Sequence, residues 1–373
     1  MKIRIITYHS VINRGALLQA LGLQINFKSL FPHADVKVVD SLPHRLTLYE
    51  FLRAIPKKGS GFDKWHRFIL IKNDVKNIFD LEKISPRKLA DSLKQDDMLV
   101  IGSDCIWRID NKIHLPVFPN QYWLPYKTAA KKISFSTSAV GSNLELVNIK
   151  KDKIKTLIND FDLVSVRDNF TKEIIGREDA LITPDPSFFV PLRNNLSYPE
   201  LVQTFINENK KLYGLQIYNN HYPEHIKAYI KFNSNNKVIG LTNNFVTDLN
   251  IDHLINTLQW AQIYRELCFH VTDSFHGTIF SIRNKIPFLS LETGNIPPEH
   301  SKKYSLLSFM GLEDLYVNLN EYKSDVKILS KRQEDIISRW NSDYLPIVND
   351  GLHKATKELD TYNKKILELC NKE

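Results

Sequence analysis

Cysteine is scarce: Cys105, Cys268 and Cys370 are the only three in 373 residues. The number is odd and none stands in a CxxC pair, which argues against a disulfide framework and for a reducing compartment. No apolar run approaches the roughly 18–20 residues of a membrane span. The opening MKIRIITYHS turns polar too soon for a signal peptide. Together these absences lead to the expectation of a cytoplasmic protein. HExxH and paired-carboxylate metal spacings are missing, so no metal is expected. The first strand–turn–helix lacks GxGxxG, so neither is a dinucleotide cofactor. Zinc-finger spacing, RNP-like aromatics and a dense basic arm are also missing, which sets nucleic acid aside as a partner. No repeat period or low-complexity segment stands out.

What is present suits packed cores, with 43% apolar and 11% aromatic residues. The 50 Lys and Arg outnumber 42 Asp and Glu, for a formal charge of +8. This suits an anionic ligand or a negative surface, although the basic residues are spread along the chain. A chain of this length exceeds the roughly 250–300 residues at which single cores stop growing, so two domains are expected.

Short β-branched runs alternate with helical patterns. Strands are predicted at 2–8, 36–40, 98–102, 131–136, 162–166 and 180–188, and again at 211–219, 237–243, 268–272 and 286–292. Helices are predicted after the Asn13–Gly15 turn, at 148–160, 223–233, 251–267 (capped by Thr247 or Asp248), 302–315 and in a tail divided or kinked at Pro346. The alternation predicts an α/β fold with two Rossmann-like domains facing a central cleft, of the GT-B type. The boundaries are 1–192, with a helical insertion near 41–95, then 193–325, and a C-terminal helical tail over 326–373.

Segment 51–72 mixes Arg53, Lys57, Lys58, Lys64, Arg67 and Lys72 with Phe51, Phe62, Trp65 and Phe68. It reads as helices packed on the first domain, or as a surface that meets anionic lipid headgroups or an acceptor, a peripheral contact with the inner membrane surface.

The stretch CFHVTDSFHGTIFSI, residues 268–282, carries the densest chemistry. A buried strand ends in a turn over Asp273, Ser274, Phe275, His276 and Gly277, and a helix begins at Thr278. In α/β folds ligands bind outside the carboxyl ends of strands, and a helix N-terminus there attracts anions. His276 is suited to carry a proton near neutral pH. Other strand ends offer Asp104, the Ser136–Gly141 loop, Arg167 and His9. Each has a plainer reading. Asp104 and Asp273 suit caps, Arg167 and Asp168 an ion pair, and Trp107 packing as well as stacking on a sugar.

Several segments in order resemble one family. They are Asn13-Arg14-Gly15 with Leu18-Gln19-Ala20, Ile101-Gly102-Ser103-Asp104-Cys105-Ile106-Trp107, Ser134-Phe135-Ser136 with Gly141, Val164-Ser165-Val166-Arg167-Asp168, Asp185-Pro186-Ser187, and Thr272-Asp273-Ser274-Phe275-His276-Gly277 with Pro287-Phe288. Together they are similar to the polysaccharide pyruvyl transferases over roughly residues 1–315. Cys105 stands where the family often has Gln, and Lys302 and Lys303 where it often has an Arg.

The resemblance implies transfer of a pyruvyl group from phosphoenolpyruvate to a glycan or lipid-linked sugar acceptor, usually as a ketal. It casts phosphoenolpyruvate as donor substrate, with no cofactor. His276 is then the proton-handling residue, and Asp104 or Asp273 accepts a hydroxyl proton. Arg167, Ser274, Gly277, Ser136, Asn13 and Gly15 hold the donor, and Trp107 and His9 meet the acceptor. Two competing readings are a GT-B-type glycosyltransferase using a nucleotide-sugar and a non-catalytic glycan- or membrane-binding protein.

Overall fold

A computed structural model describes the chain except for residues 42–43, 57–60, 111, 113–115, 194–195, 219–236, 243–246, 295, 321–325 and 372–373. The helix predicted at 223–233 lies outside the described residues. The chain divides into two compact units. One comprises Met1–Ile55, Ile71–Val190 and Ala355–Glu373, the other Pro56–Leu70 and Pro191–Lys354.

The first unit is built on a parallel sheet of β1 (Lys2–Ile6), β2 (Asp35–Val39), β3 (Leu81–Glu82), β4 (Met98–Asp104), β5 (Lys131–Thr137), β6 (Ser165–Val166) and β7 (Leu181–Ile182). Their spatial order is β3-β2-β1-β4-β5-β6-β7. Ile3, Ile5, Val38, Leu99, Val100 and Ile101 are fully buried, the near-continuous apolar strands expected of a sheet covered on both faces. The order reverses between β1 and β4, where Ile6 lies opposite Ile101. Such a switch point opens a crevice at the carboxyl ends of the strands. β4 ends there in Gly102-Ser103-Asp104.

The second unit repeats the design with β8 (Leu212–Gln216), β9 (Lys237–Gly240), β10 (Leu249–Asn250), β11 (Phe269–Thr272), β12 (Phe288–Glu292) and β13 (Tyr316–Asn318). The order is β10-β9-β8-β11-β12-β13, all parallel. The reversal falls between β8 and β11, with Thr272 opposite Gln216. The segment singled out in the sequence therefore leaves the strand beside this unit's own switch point.

Several local expectations are corrected. The helix predicted over 251–267 is a helix only at Thr257–Gln262, followed by a tight turn at Ile263–Glu266. Its cap is Asn256, not Thr247 or Asp248. Asn256 accepts from the Gln259 amide at 2.8 Å while the Gln259 side chain accepts from the Asn256 amide at 2.9 Å, a reciprocal box that fixes the start. Ile251, Leu254 and Ile255 kept the apolar spacing but belong to a turn. Gly15 is not in a turn either: the helix runs Arg14–Leu30 and Asn13 caps it.

The tail is helical over Val326–Arg339, widens into a π-turn at Trp340–Tyr344 immediately ahead of Pro346, and continues as the helix Leu345–Asn371. From Ala355 onward it belongs to the first unit. There the Tyr362 hydroxyl donates to the Ser134 carbonyl, and Asn363 and Asn26 exchange side-chain hydrogen bonds at 3.0 Å.

One buried residue of the second sheet makes stability depend on pH. His270 on β11 is fully buried, with Nδ1 2.7 Å from the Ser281 hydroxyl. Burial pushes its pKa down to about 3, whereas an unfolded histidine titrates near 6.5. Because the folded value is depressed, the stabilisation is complete above the unfolded value and is lost as pH falls toward about 3. The slope approaches about 1.4 kcal/mol per pH unit. Urea unfolding at pH 7 and pH 4.5 is expected to show about 2–3 kcal/mol of acid loss that His270→Gln removes.

Candidate active site

At the end of β4 the backbone is forced into an unusual path. Gly102 has φ of +144° and a Cβ there would overlap the Phe135 carbonyl oxygen. Asp104 has φ of +82° without being glycine, and Ser136, at the end of the neighbouring β5, has φ of +50°. Non-glycine residues held in this region cost about 1–3 kcal/mol each and cluster at functional sites. Asp104 caps the short turn Cys105–Trp107: its Oδ1 accepts from the Cys105 amide at 2.8 Å.

Arg167 follows β6 and is 9% exposed. Its partner is not Asp168. Nη1 donates to Asp185 Oδ2 at 2.7 Å, while Nη2 lies 3.8 Å from Asp104 Oδ1 and 3.5 Å from Cys105 Sγ. Burial works against the charge, but the carboxylates of Asp185, Asp104 and Asp168 outweigh it and keep the guanidinium protonated. Asp168 instead caps the helix Asn169–Ile175, accepting from the Thr171 amide and from the Ser138 hydroxyl, both at 2.7 Å.

Three other residues of the first unit are framework. Ser136 is fully buried and its hydroxyl donates to the Thr183 carbonyl at 3.0 Å. Trp107 is fully buried, stacked on Trp123 at 5.3 Å between centroids, with its indole N–H donating to Tyr122 O at 2.8 Å. A ring with no exposed face has none to offer a sugar, so packing is its role. His9 is 1% exposed, with Nδ1 3.2 Å from Thr7 O and Nε2 3.2 Å from Asp40 Oδ1. That contact, ahead of the opposing effect of burial, holds the Asp40 carboxyl below its usual range. Asn13 turns its side chain to the Gly15 amide at 3.0 Å, and Gly15 is buried in the first helical turn.

In the second unit the helix begins earlier than its apolar pattern suggests. It runs Phe275–Arg283, so His276 and Gly277 lie in its first turn. Ser274, not Asp273, is the cap, accepting from the Gly277 amide at 3.3 Å. Its own amide donates to Thr272 Oγ1 at 3.0 Å. Asp273 instead receives the Tyr218 amide on both carboxylate oxygens, at 3.0 and 3.1 Å.

His276 is 6% exposed, its ring edge-on to Phe275 at 5.3 Å between centroids. Gly277 is required sterically: a Cβ would overlap Gln216 Oε1 and Thr272 Oγ1. Gln216, at the end of β8, is fully buried and receives the Tyr264 hydroxyl at 3.0 Å.

Lys303 settles which neighbouring lysine is structural. Its Nζ reaches Asp273 O at 3.0 Å, Leu291 O at 2.5 Å and Glu292 Oε1 at 3.0 Å. Burial lowers its pKa against the pull of Glu292. Lys302 is half-buried, with Nζ 5.3 Å from the centre of the Phe275 ring.

Reading the sequence missed three contributors: Asp185 as the partner of Arg167, Gln216 as a hub, and Lys303 as a tie. The available signal for Gln216 was a polar residue closing the apolar strand LYGLQ.

A family model for polysaccharide pyruvyl transferases matches residues 13–295, a span that holds both strand-end clusters. The chain belongs to the polysaccharide pyruvyl transferase family. This is a family of enzymes. No curated protein sequence matches the chain.

Among solved structures, the chain is similar to a Listeria monocytogenes protein assigned as a UDP-N-acetylglucosamine 2-epimerase. The identity is 10% over 98% of this chain and 97% of that one, with a TM-score of 0.53. It is also similar to the UDP-GlcNAc 2-epimerase of Methanocaldococcus jannaschii (13% identity, 97% and 100% covered, TM-score 0.47). The E. coli ADP-heptose heptosyltransferase II follows (12% identity, 92% and 100% covered, TM-score 0.43). The first likeness shows a shared fold of GT-B-like type, and at that identity it shows the fold alone.

For this pyruvyl transferase family member, no described helix is long and apolar enough to cross a membrane. Among the described residues no group of three or more His, Cys, Asp and Glu side chains is placed to hold a metal ion.

Proposed function

We propose that this family member transfers a pyruvyl group from phosphoenolpyruvate to two hydroxyls of a sugar, in a cell-surface polysaccharide or its lipid-linked precursor, leaving a cyclic ketal. The observation that supports this most is His276 in the first turn of a helix that starts at the carboxyl end of β11, beside the sheet's switch point. A proton carrier next to a helix N-terminus suits a substrate that needs both an anion seat and a proton.

The methylene carbon of the donor takes a proton and becomes a methyl group, leaving an oxocarbenium-like centre at the adjacent carbon. A sugar hydroxyl adds to that carbon and gives up its proton. The carbon–oxygen bond to phosphate breaks, and a second hydroxyl closes the ring. Of the two hydroxyl protons, one replaces the proton given to the methylene and the other leaves with phosphate.

In this scheme His276 handles the proton at the donor. The helix N-terminus at Ser274 and Gly277 favours the phosphate, with Lys302 as the nearby cation, since Lys303 is held by Glu292 and two carbonyls. The hydroxyl proton goes to a carboxylate; within this unit that is Asp273, in the same turn, whose oxygens also accept the Tyr218 amide.

The test is phosphate release from phosphoenolpyruvate against a panel of lipid-linked and nucleotide-linked sugars, with thermal-shift titration beside it. Release that depends on one acceptor is expected, with stabilisation by phosphoenolpyruvate. Stabilisation by a nucleotide-sugar alone, with no release, would replace this reading with a glycosyltransferase.

A further inference from the structure

The helix His44–Ala54 in the first unit is turned the wrong way for a helix of a water-soluble core. Its buried residues are Leu46 and Ala54. Its large apolar residues face out: Leu48 is 57% exposed, Leu52 53%, Phe51 43% and Ile55, just beyond the helix, 39%. Positions 48, 51, 52 and 55 follow the i, i+3, i+4, i+7 spacing, so they form one continuous stripe. The Ile55 amide donates to the Phe51 carbonyl at 3.2 Å and keeps the last of them in that register. Single exposed leucines are ordinary, but a contiguous stripe of this kind marks a contact surface.

The charge around the stripe indicates the occupant. Arg45 and Arg53 are exposed on the same flank of the helix, Arg53 beside Tyr49 with its guanidinium 5.4 Å from the ring centre. Lys57 and Lys58 follow in the chain. Between residues 44 and 62 there are four Lys and Arg and a single acidic residue, Glu50. Glu50 is half-buried and accepts the Ile12 amide at 2.9 Å, away from the stripe. An apolar stripe flanked by cations alone is the pattern of a helix lying in the plane of an anionic bilayer, its apolar side at the acyl boundary and its basic residues among the headgroups. A protein groove would need complementary acidic positions to gain the same match.

We infer that the helix His44–Ala54 docks the protein onto anionic lipid membranes through Leu48, Phe51, Leu52 and Ile55, with Arg45 and Arg53 contacting the headgroups. The inference is independent of the reaction proposed above, because its readout is binding and not turnover.

The test is co-sedimentation of the full chain with vesicles of phosphatidylcholine alone and of phosphatidylcholine with phosphatidylglycerol. Binding to the second and not the first is expected, weakening as salt is raised past the point where the Debye length falls to a few ångströms. Leu48→Gln with Leu52→Gln is expected to lower the partition by roughly tenfold or more. Arg45→Gln with Arg53→Gln should lower it too and flatten the salt dependence. Both changes lie on exposed positions, so circular dichroism and the thermal midpoint are expected to match the parent. Three outcomes would overturn the inference: no binding to the anionic vesicles at low salt, binding unchanged by the leucine pair, or a concentration-dependent dimer that the leucine pair abolishes while lipid binding is absent.

Discussion

His276→Asn is expected to lower acceptor-dependent turnover by about 10²–10⁴-fold, the usual share of a positioned proton-transfer group. The expected shift in unfolding free energy is small, about 1 kcal/mol. Asparagine is close in volume near the backbone and remains polar, so the first helical turn and its Ser274 cap should persist. What is lost is a side chain that both gives and takes a proton. His276 is 6% exposed beside the Phe275 ring, so bulk water is poorly placed to substitute for it. Steady-state phosphate release at saturating donor reads the effect, and a thermal melt separates it from unfolding. A variant with turnover near the parent's would remove His276 from the chemistry.

Arg167→Met is expected to act mainly on stability, with a loss of about 3–5 kcal/mol. The guanidinium sits among Asp185, Asp104 and Asp168 and is 9% exposed. Removing it leaves buried carboxylates with their main countercharge gone, which costs more than the ion pair itself contributes. Asp185→Asn in the same chain is expected to recover part of the loss, because the 2.7 Å contact to Nη1 is the tightest in the cluster. Arg167→Lys keeps the charge but not the planar fork, so it should fall between parent and Met variant. Denaturant unfolding of the four proteins tests this. An Arg167→Met variant as stable as the parent, or no recovery in the double variant, would show that Arg167 is not held as described.

The parallel α/β architecture was legible because its strands are apolar β-branched runs of four to seven residues, such as Met98–Asp104 and Phe269–Thr272. The two-residue strands Leu81–Glu82 and Leu249–Asn250 were not, since acidic and amide residues break the apolar pattern around them, whereas the equally short Ser165–Val166 and Leu181–Ile182 stand in longer apolar runs. Helix starts were blurred by the same limit. Apolar spacing continued through the turn before Asn256 and began only after the first turn at Phe275, whereas the capping side chains of Asn256 and Ser274 set the true starts.

At the site, the position of His276 was readable from a strand followed by a helix. The partner of Arg167 was not. Asp185 is 18 positions away, and Asp168, adjacent in sequence, faces its own helix N-terminus. Trp107 and Ser136 shared the local pattern of ligand-facing residues, and only packing shows that they are core.

Acceptor-dependent phosphate release with product analysis tests the donor chemistry most directly. With phosphoenolpyruvate and the right glycan acceptor, one phosphate is expected for each pyruvyl ketal found on the sugar, and neither without acceptor. Sugar transfer from a nucleotide donor, with phosphoenolpyruvate left intact across the acceptor panel, would contradict it.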